Sequence, residues 1–70
     1  MRRGKTVKDI IRPPVAGLST APVIGMDEPL TLAIEMMLNN DKKEITVVGR
    51  HGVIGYVCLE DALRHMGLRV

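Results

Sequence analysis

Residues 53–63, VIGYVCLEDAL, decide the fold of this chain because a strand passes directly into a helix there. The apolar run 53–57 predicts a short buried strand, with Gly55 where a side chain would obstruct a close neighbour or ligand. Cys58 falls at the predicted helix N-cap, and Glu60 and Asp61 fall in the first turn, where the helix dipole favours carboxylates. A carboxylate fixed at such a junction can accept two hydroxyls of a ribose.

The elements upstream of this junction follow from hydrophobic spacing. Ile45–Val48 predicts a strand that forms a hairpin with 53–57 across the turn 49–52. Asp27 is a good N-cap for a helix that Asn39-Asn40-Asp41 ends. The apolar face of that helix is predicted to contain Leu30, Ala33, Ile34 and Met37, with Leu38 widening it.

The remaining segments complete an α/β domain. Residues 6–11 predict a helical turn ended by Pro13-Pro14, residues 23–26 a strand, and residues 59–66 a last helix that closes near Gly67. We expect a small three-stranded sheet with two helices packed on one face. Residues 1–12 form a basic arm with the helical turn, residues 13–22 an irregular connector, and residues 23–70 the core.

Length and composition predict self-association. A chain of 70 residues buries only about 60% of its unfolded surface and has a marginal core. It is 46% hydrophobic, and its one Cys excludes an internal disulfide. Since no Cys/His cluster offers a zinc site, the remaining way to stabilise the domain is another copy of itself, in a dimer or larger oligomer.

Charge and chemistry exclude several function classes. The net charge is only +2, and five of the ten basic residues lie in the first twelve positions, an arm that we interpret as solvated. With Tyr56 the only aromatic residue, stacking platforms are missing and we expect no nucleic-acid partner. No apolar stretch reaches the length of a transmembrane helix and no signal-peptide pattern opens the chain, so we expect a cytoplasmic protein. We expect neither an enzyme nor a metal or catalytic cofactor.

Four short patterns, in order and at matching spacing, resemble a single cystathionine-β-synthase (CBS) motif. The pattern Val-x-Asp-Ile-Met followed by Pro is similar to residues 7–13. The pattern Asp-x-Ser/Thr-Leu-x-x-Ala-hydrophobic-x-x-Met resembles residues 27–37. The hairpin pattern of the family resembles residues 45–49 and 52–55. The pattern that ends the motif, Gly-hydrophobic-hydrophobic-Thr/Ser-x-x-Asp, resembles residues 55–61, with Cys58 in the position of the Thr or Ser hydroxyl.

The resemblance implies a regulatory domain. Two CBS motifs pack through their sheets into a Bateman module, whose clefts commonly bind AMP, ADP, ATP or S-adenosylmethionine. Such modules regulate attached or docked enzymes and transporters. Since residues 23–70 form the core of only one motif, the resemblance implies a homodimer with an adenosyl ligand between the copies.

The resemblance also implies a set of ligand-binding residues. Asp61 matches the ribose-binding aspartate, whereas Cys58 replaces a hydroxyl that donates to phosphate. Thr46 replaces a frequent Pro beside the adenine edge, and Lys43 matches a basic residue that reaches phosphate. Apolar walls around the base are expected from Val23, Ile24, Ile45 and Val53, although these residues equally fit a plain core.

Two alternatives to nucleotide regulation stay open. One is a purely structural dimerisation domain whose nucleotide site is degenerate at Cys58 and Thr46. The other is a small binder of nucleic acid or a membrane surface that uses the basic residues 2–12.

Overall fold

The computed structural model describes residues 5–67, which confirm the predicted α/β fold. A 3-10 turn, Val7–Asp9, precedes five elements. These are β1 (Val23–Gly25), α1 (Leu30–Asn39), β2 (Glu44–Gly49), β3 (Gly52–Cys58) and α2 (Leu59–His65). Arg2 and Arg3 of the predicted basic arm lie outside the described residues.

The three strands form one mixed sheet in the order β1-β2-β3. β1 runs parallel to β2, with Ile24 opposite Val47. β2 and β3 form the predicted antiparallel hairpin, with Ile45 opposite Val57. The register shifts next to Val47, and this bulge leaves Ile54 as the extra residue on β3.

Alternation along β2 separates the two faces of the sheet. Ile45 and Val47 point to one face, where they join the buried cluster with both helices, and Thr46 points to the other. Both helices therefore cover the same face, as predicted. The buried cluster consists of Val7, Ile10, Ile24, Leu30, Ala33, Met37, Ile45, Val47, Val57 and Ala62.

The buried face of α1 is narrower than predicted. Leu30, Ala33 and Met37 are fully buried, but Leu38 is 61% exposed. The expectation that Leu38 widens the apolar face is therefore wrong. Leu38 follows Met37 by about 100° around the helix axis, which carries its side chain off the face that packs on the sheet.

The N-cap of α1 also differs from the prediction. The helix is capped by Pro29, in an extended conformation, and not by Asp27. The Leu30 N–H donates to the Lys5 carbonyl at 2.9 Å, so residues 27–29 are paired with the N-terminal segment before the helix begins. Asp27 instead forms an exposed ion pair with Lys8 Nζ at 3.0 Å.

Residues 5–12 form a strap that joins the start of α1 to the outer edge of β3. Its first half bonds to the chain before α1, through Val7 N–H to the Glu28 carbonyl at 3.0 Å and Lys8 N–H to the Met26 carbonyl at 3.1 Å. Its last residue, Arg12, exchanges two backbone hydrogen bonds with Tyr56, at 2.8 and 3.1 Å. The strap also contributes Val7 and Ile10 to the core.

Gly55 is required where the strap crosses β3. A Cβ at this position would collide with the Arg12 carbonyl oxygen and lie 2.8 Å from Ile11 Cγ1. The close neighbour that the sequence predicted beside Gly55 is thus the strap. Because the obstructing atom is backbone, no side-chain rotation could make room.

We predict that Gly55→Ala destabilises the fold by about 1–3 kcal/mol or more, because the added methyl group overpacks the crossing. Gly25→Ala is the matched control, since its Cβ would meet only Glu28 Cγ at 3.6 Å, an ordinary contact. Urea unfolding of both variants measures the difference. Equal free energies of unfolding for the two variants would show that the strap does not pass so close to Gly55.

Within residues 5–67, neither helix has the length and apolar character that crossing a membrane demands.

Candidate functional site

The β3–α2 junction has the predicted geometry. Cys58 is the N-cap of α2, in an extended conformation with φ −91° and ψ 141°. Within the described residues its thiol makes no capping hydrogen bond, which agrees with the weak acceptor character of sulfur. The Leu59 N–H instead donates to the Lys43 carbonyl at 2.8 Å, so the start of β2 anchors the start of the helix.

Asp61 lies between two arginines. Its Oδ2 accepts a hydrogen bond from Arg12 Nε at 2.6 Å, and its Oδ1 accepts one from Arg64 Nη2 at 3.2 Å. The Asp61 side chain is only 16% exposed, whereas those of Arg12 and Arg64 are 50% and 65% exposed. The hydrogen bond from Arg12 lowers the pKa of Asp61 and outweighs the opposing effect of partial burial. We call these three residues the Asp61 cluster.

The carboxylate of Asp61 retains capacity for a ligand. An ionised carboxylate offers about four acceptor positions on its two oxygens. The two arginines use one position on each oxygen, and two positions are left for hydroxyl donors. By this count the two arginines do not saturate the carboxylate, whose side chain is 16% exposed.

Arg12 is the member of this cluster that sequence reasoning missed as a site residue. It lies 49 positions before Asp61, and the sequence indicates only that it belongs to a basic arm. One sequence feature pointed towards Arg12. Gly55 predicted a close neighbour at this position of β3, and that neighbour is the backbone of Arg12.

An open groove of about 510 Å³ lies beside the junction. Its lining residues are Lys43, Glu44, Cys58, Leu59, Glu60 and Leu63. The structure thus brings together Lys43 and Cys58, two of the residues expected to contact phosphate. Lys43 is exposed. Asp61 is not among the lining residues; it follows the lining residue Glu60 in the sequence and belongs to the Asp61 cluster.

The Cys58 thiol is poorly suited to nucleophilic chemistry. Burial is the main cause that raises its pKa; the charge of Arg12 opposes this, and the charges of Asp61, Glu44 and Glu60 add to it. The thiol therefore stays protonated at neutral pH, whereas reactive cysteines need a lowered pKa. Within residues 5–67, no group of three or more His, Cys, Asp or Glu side chains is arranged to hold a metal ion.

Thr46 holds the connector against the sheet. Its side chain is buried, and Oγ1 donates to the Ser19 carbonyl oxygen at 2.5 Å. Val23 lies opposite Thr46 in the β1–β2 pair and is 37% exposed. Thr46 and Val23 therefore share the face opposite the helices, where residues 13–22 pass.

The apolar residues predicted to surround a base lie apart. Ile24 and Ile45 are buried on the helix side of the sheet, away from Val23. Val53 is 53% exposed and pairs with Val48 near the turn of the hairpin, at the end of β3 opposite Cys58. Ile24 and Ile45 thus have the core role that the sequence left open, and one copy of the chain does not assemble the four into a single wall.

Comparisons with known proteins return no matching family model, no matching curated protein and no matching solved structure. The function of the chain therefore has to be inferred from its own residues and contacts.

Acid should weaken the Asp61 cluster. Because the pKa of Asp61 is lower in the folded chain, the cluster stabilises the fold fully above the ordinary carboxyl pKa of about 4, and this contribution is lost as the pH falls below it. We predict that Asp61→Asn flattens the fall in stability between about pH 5 and pH 3.

Urea unfolding across this pH range measures the effect. Glu60→Gln is the control, since Glu60 is an exposed carboxylate in the same turn. It should retain the acid dependence of the unmodified chain. Identical acid dependence in Asp61→Asn and the unmodified chain would show that the cluster does not stabilise the fold.

Proposed function

We propose that this chain is a regulatory CBS-type module that pairs with a second copy and binds an adenosyl ligand in the cleft between the copies. The ligand is AMP, ADP, ATP or S-adenosylmethionine. The observation that carries the proposal is the Asp61 carboxylate, held at a strand-to-helix junction with two acceptor positions left for ribose hydroxyls. The order of helical turn, strand, helix, strand, strand and helix supports it further.

Exposed apolar residues support pairing with a second copy. Val23, Val53 and Ile54 of the sheet are 37%, 53% and 38% exposed, and Val15 of the connector is 54% exposed. When a partner covers such side chains, the burial of their apolar surface stabilises a domain with so small a core. We propose a second copy as that partner, because motifs of the family that the sequence resembles pack in pairs.

The proposed mechanism is a population shift. A ligand between two copies binds one relative orientation of the copies more tightly and increases the population of that orientation. An attached or docked enzyme or transporter then responds to the change. No catalytic step is proposed.

A structural dimerisation domain is the second candidate. One observation favours it: the carboxylate of Asp61 is bonded to two arginines of its own chain. In that case Asp61 would serve only to fix the strap on α2. The response of stability to adenine nucleotides separates the two candidates.

We predict that AMP, ADP, ATP or S-adenosylmethionine raises the midpoint of thermal unfolding. A ligand at a hundred times its dissociation constant adds about 2.7 kcal/mol, and each kcal/mol moves the midpoint of a small domain by about 4–8 °C. Asp61→Ala should abolish the ligand-induced shift, because the ribose hydroxyls lose their acceptor. The shift relative to the same variant without ligand is the quantity to compare, since the variant also loses its ion pairs.

Glu60→Ala is the matched control and should keep the full shift, since Glu60 is the exposed neighbour of Asp61. A shift that survives in Asp61→Ala would exclude ribose binding by this carboxylate. No shift with any of the four compounds would favour the structural dimerisation domain.

We predict that the chain self-associates at tens of micromolar concentration. Light scattering on the peak eluted from a sizing column should give at least twice the 7.7 kDa of one chain. Val53→Lys, at an exposed sheet position, should weaken the association by placing a charge in the proposed interface. A folded monomer at this concentration would rule out the paired module.

A further inference from the structure

The backbone position of Arg12 is fixed beside the candidate site. Arg12 exchanges two backbone hydrogen bonds with Tyr56, and the lack of a side chain at Gly55 allows this close approach. Directly after Arg12 the chain is stiffened by the pair Pro13-Pro14. The side chain of Arg12 therefore extends from an anchored point on the edge of β3 to the carboxylate of Asp61.

The guanidinium of Arg12 has donors to spare. Only its Nε donates to Asp61, and within residues 5–67 its two terminal nitrogens have no hydrogen-bond acceptor. A guanidinium is planar and holds its donors in a rigid fork that matches the geometry of carboxylate and phosphate. The side chain is 50% exposed, so this fork is open to a ligand.

The Asp61 cluster itself has a positive net charge, although the carboxylates of Glu44 and Glu60 also act on the neighbouring Cys58. Two guanidiniums share one carboxylate, which leaves the cluster with an excess of one positive charge. The neighbouring Cys58 offers only a weak donor where the resemblance implies a hydroxyl for phosphate. A nucleotide bound through its ribose to Asp61 would therefore find its strongest phosphate donor in Arg12.

We propose that Arg12 is the specificity residue of the site and binds the phosphate of a nucleotide whose ribose hydroxyls are held by Asp61. The site then selects nucleoside phosphates over nucleosides. This inference rests on the proposed function and narrows its ligand class to AMP, ADP or ATP, whose phosphate is carried by the same sugar. S-adenosylmethionine, which has no phosphate, is excluded as the preferred ligand.

Arg64 does not fit the same role. It belongs to the same helix as Asp61, three residues on, and uses a terminal nitrogen for Asp61. One of its two terminal nitrogens is thus already bonded to Asp61, and its side chain is 65% exposed and well solvated. Arg64→Gln is therefore the matched control, because it removes a guanidinium beside the same carboxylate and leaves Arg12 in place.

The test is calorimetric titration of the full 70-residue chain with AMP and with adenosine. The unmodified chain should bind AMP at least ~10-fold more tightly, as follows from about 1.4 kcal/mol for one hydrogen bond to a charged group. Arg12→Gln should remove most of this preference while adenosine binding changes little. Arg64→Gln should keep the preference, and Lys43→Gln tests the competing assignment of the phosphate to the exposed lysine of the groove.

Each outcome decides the inference. Equal affinities for AMP and adenosine in the unmodified chain would overturn it without any variant, so it does not depend on the folding of Arg12→Gln. An unchanged preference in folded Arg12→Gln, or a preference lost only in Lys43→Gln, would assign the phosphate elsewhere. If the unmodified chain binds neither compound, and also binds none of ADP, ATP and S-adenosylmethionine, the proposed function itself fails, which is a different result from binding without preference.

Discussion

The crossing of the strap over β3 is the constraint on which the rest of the structure depends. At this crossing the backbone of Arg12 pairs with Tyr56 over a position that only glycine can occupy. The pair covers part of the outer edge of β3, an edge that would otherwise expose unpaired backbone groups. It also brings Ile10 into the core and directs the Arg12 side chain to α2. One glycine thus connects the edge of the sheet, the core and the candidate site.

Asp61 combines a structural and a proposed functional role in one carboxylate. Its bond to Arg12 fixes the strap on α2, and the same oxygens retain acceptor positions for a ligand. The two roles differ in what they require of Arg12. Fixing the strap uses only Nε, whereas recognition of a phosphate would use the terminal nitrogens. The geometry of the guanidinium allows both at once, so ligand binding need not release the strap.

Local patterns predicted the elements well, and long-range contacts account for what was missed. The hairpin, both helices and the N-cap at Cys58 follow from spacing and turn residues within short windows. The N-cap of α1 was misplaced at Asp27 because the Leu30 N–H is taken by Lys5, far back in the chain. Arg12 beside Asp61 and Thr46 bonded to Ser19 were likewise invisible, since their partners lie 49 and 27 positions away. The sequence therefore predicted the position of Asp61 in the first turn of α2 and missed its partner Arg12.

The reach of the strap also determines when it can form during folding. Residues 5–12 contact the chain before α1, the middle of β3 and the start of α2, so their contacts close the longest loops in the domain. Contacts that close long loops cost the most entropy and form late, whereas the β2–β3 hairpin is local and can form early. During synthesis the strap leaves the ribosome before the elements on which it docks, and its docking surface is complete only when α2 has emerged. The Asp61 cluster is therefore expected to form only at the end of folding.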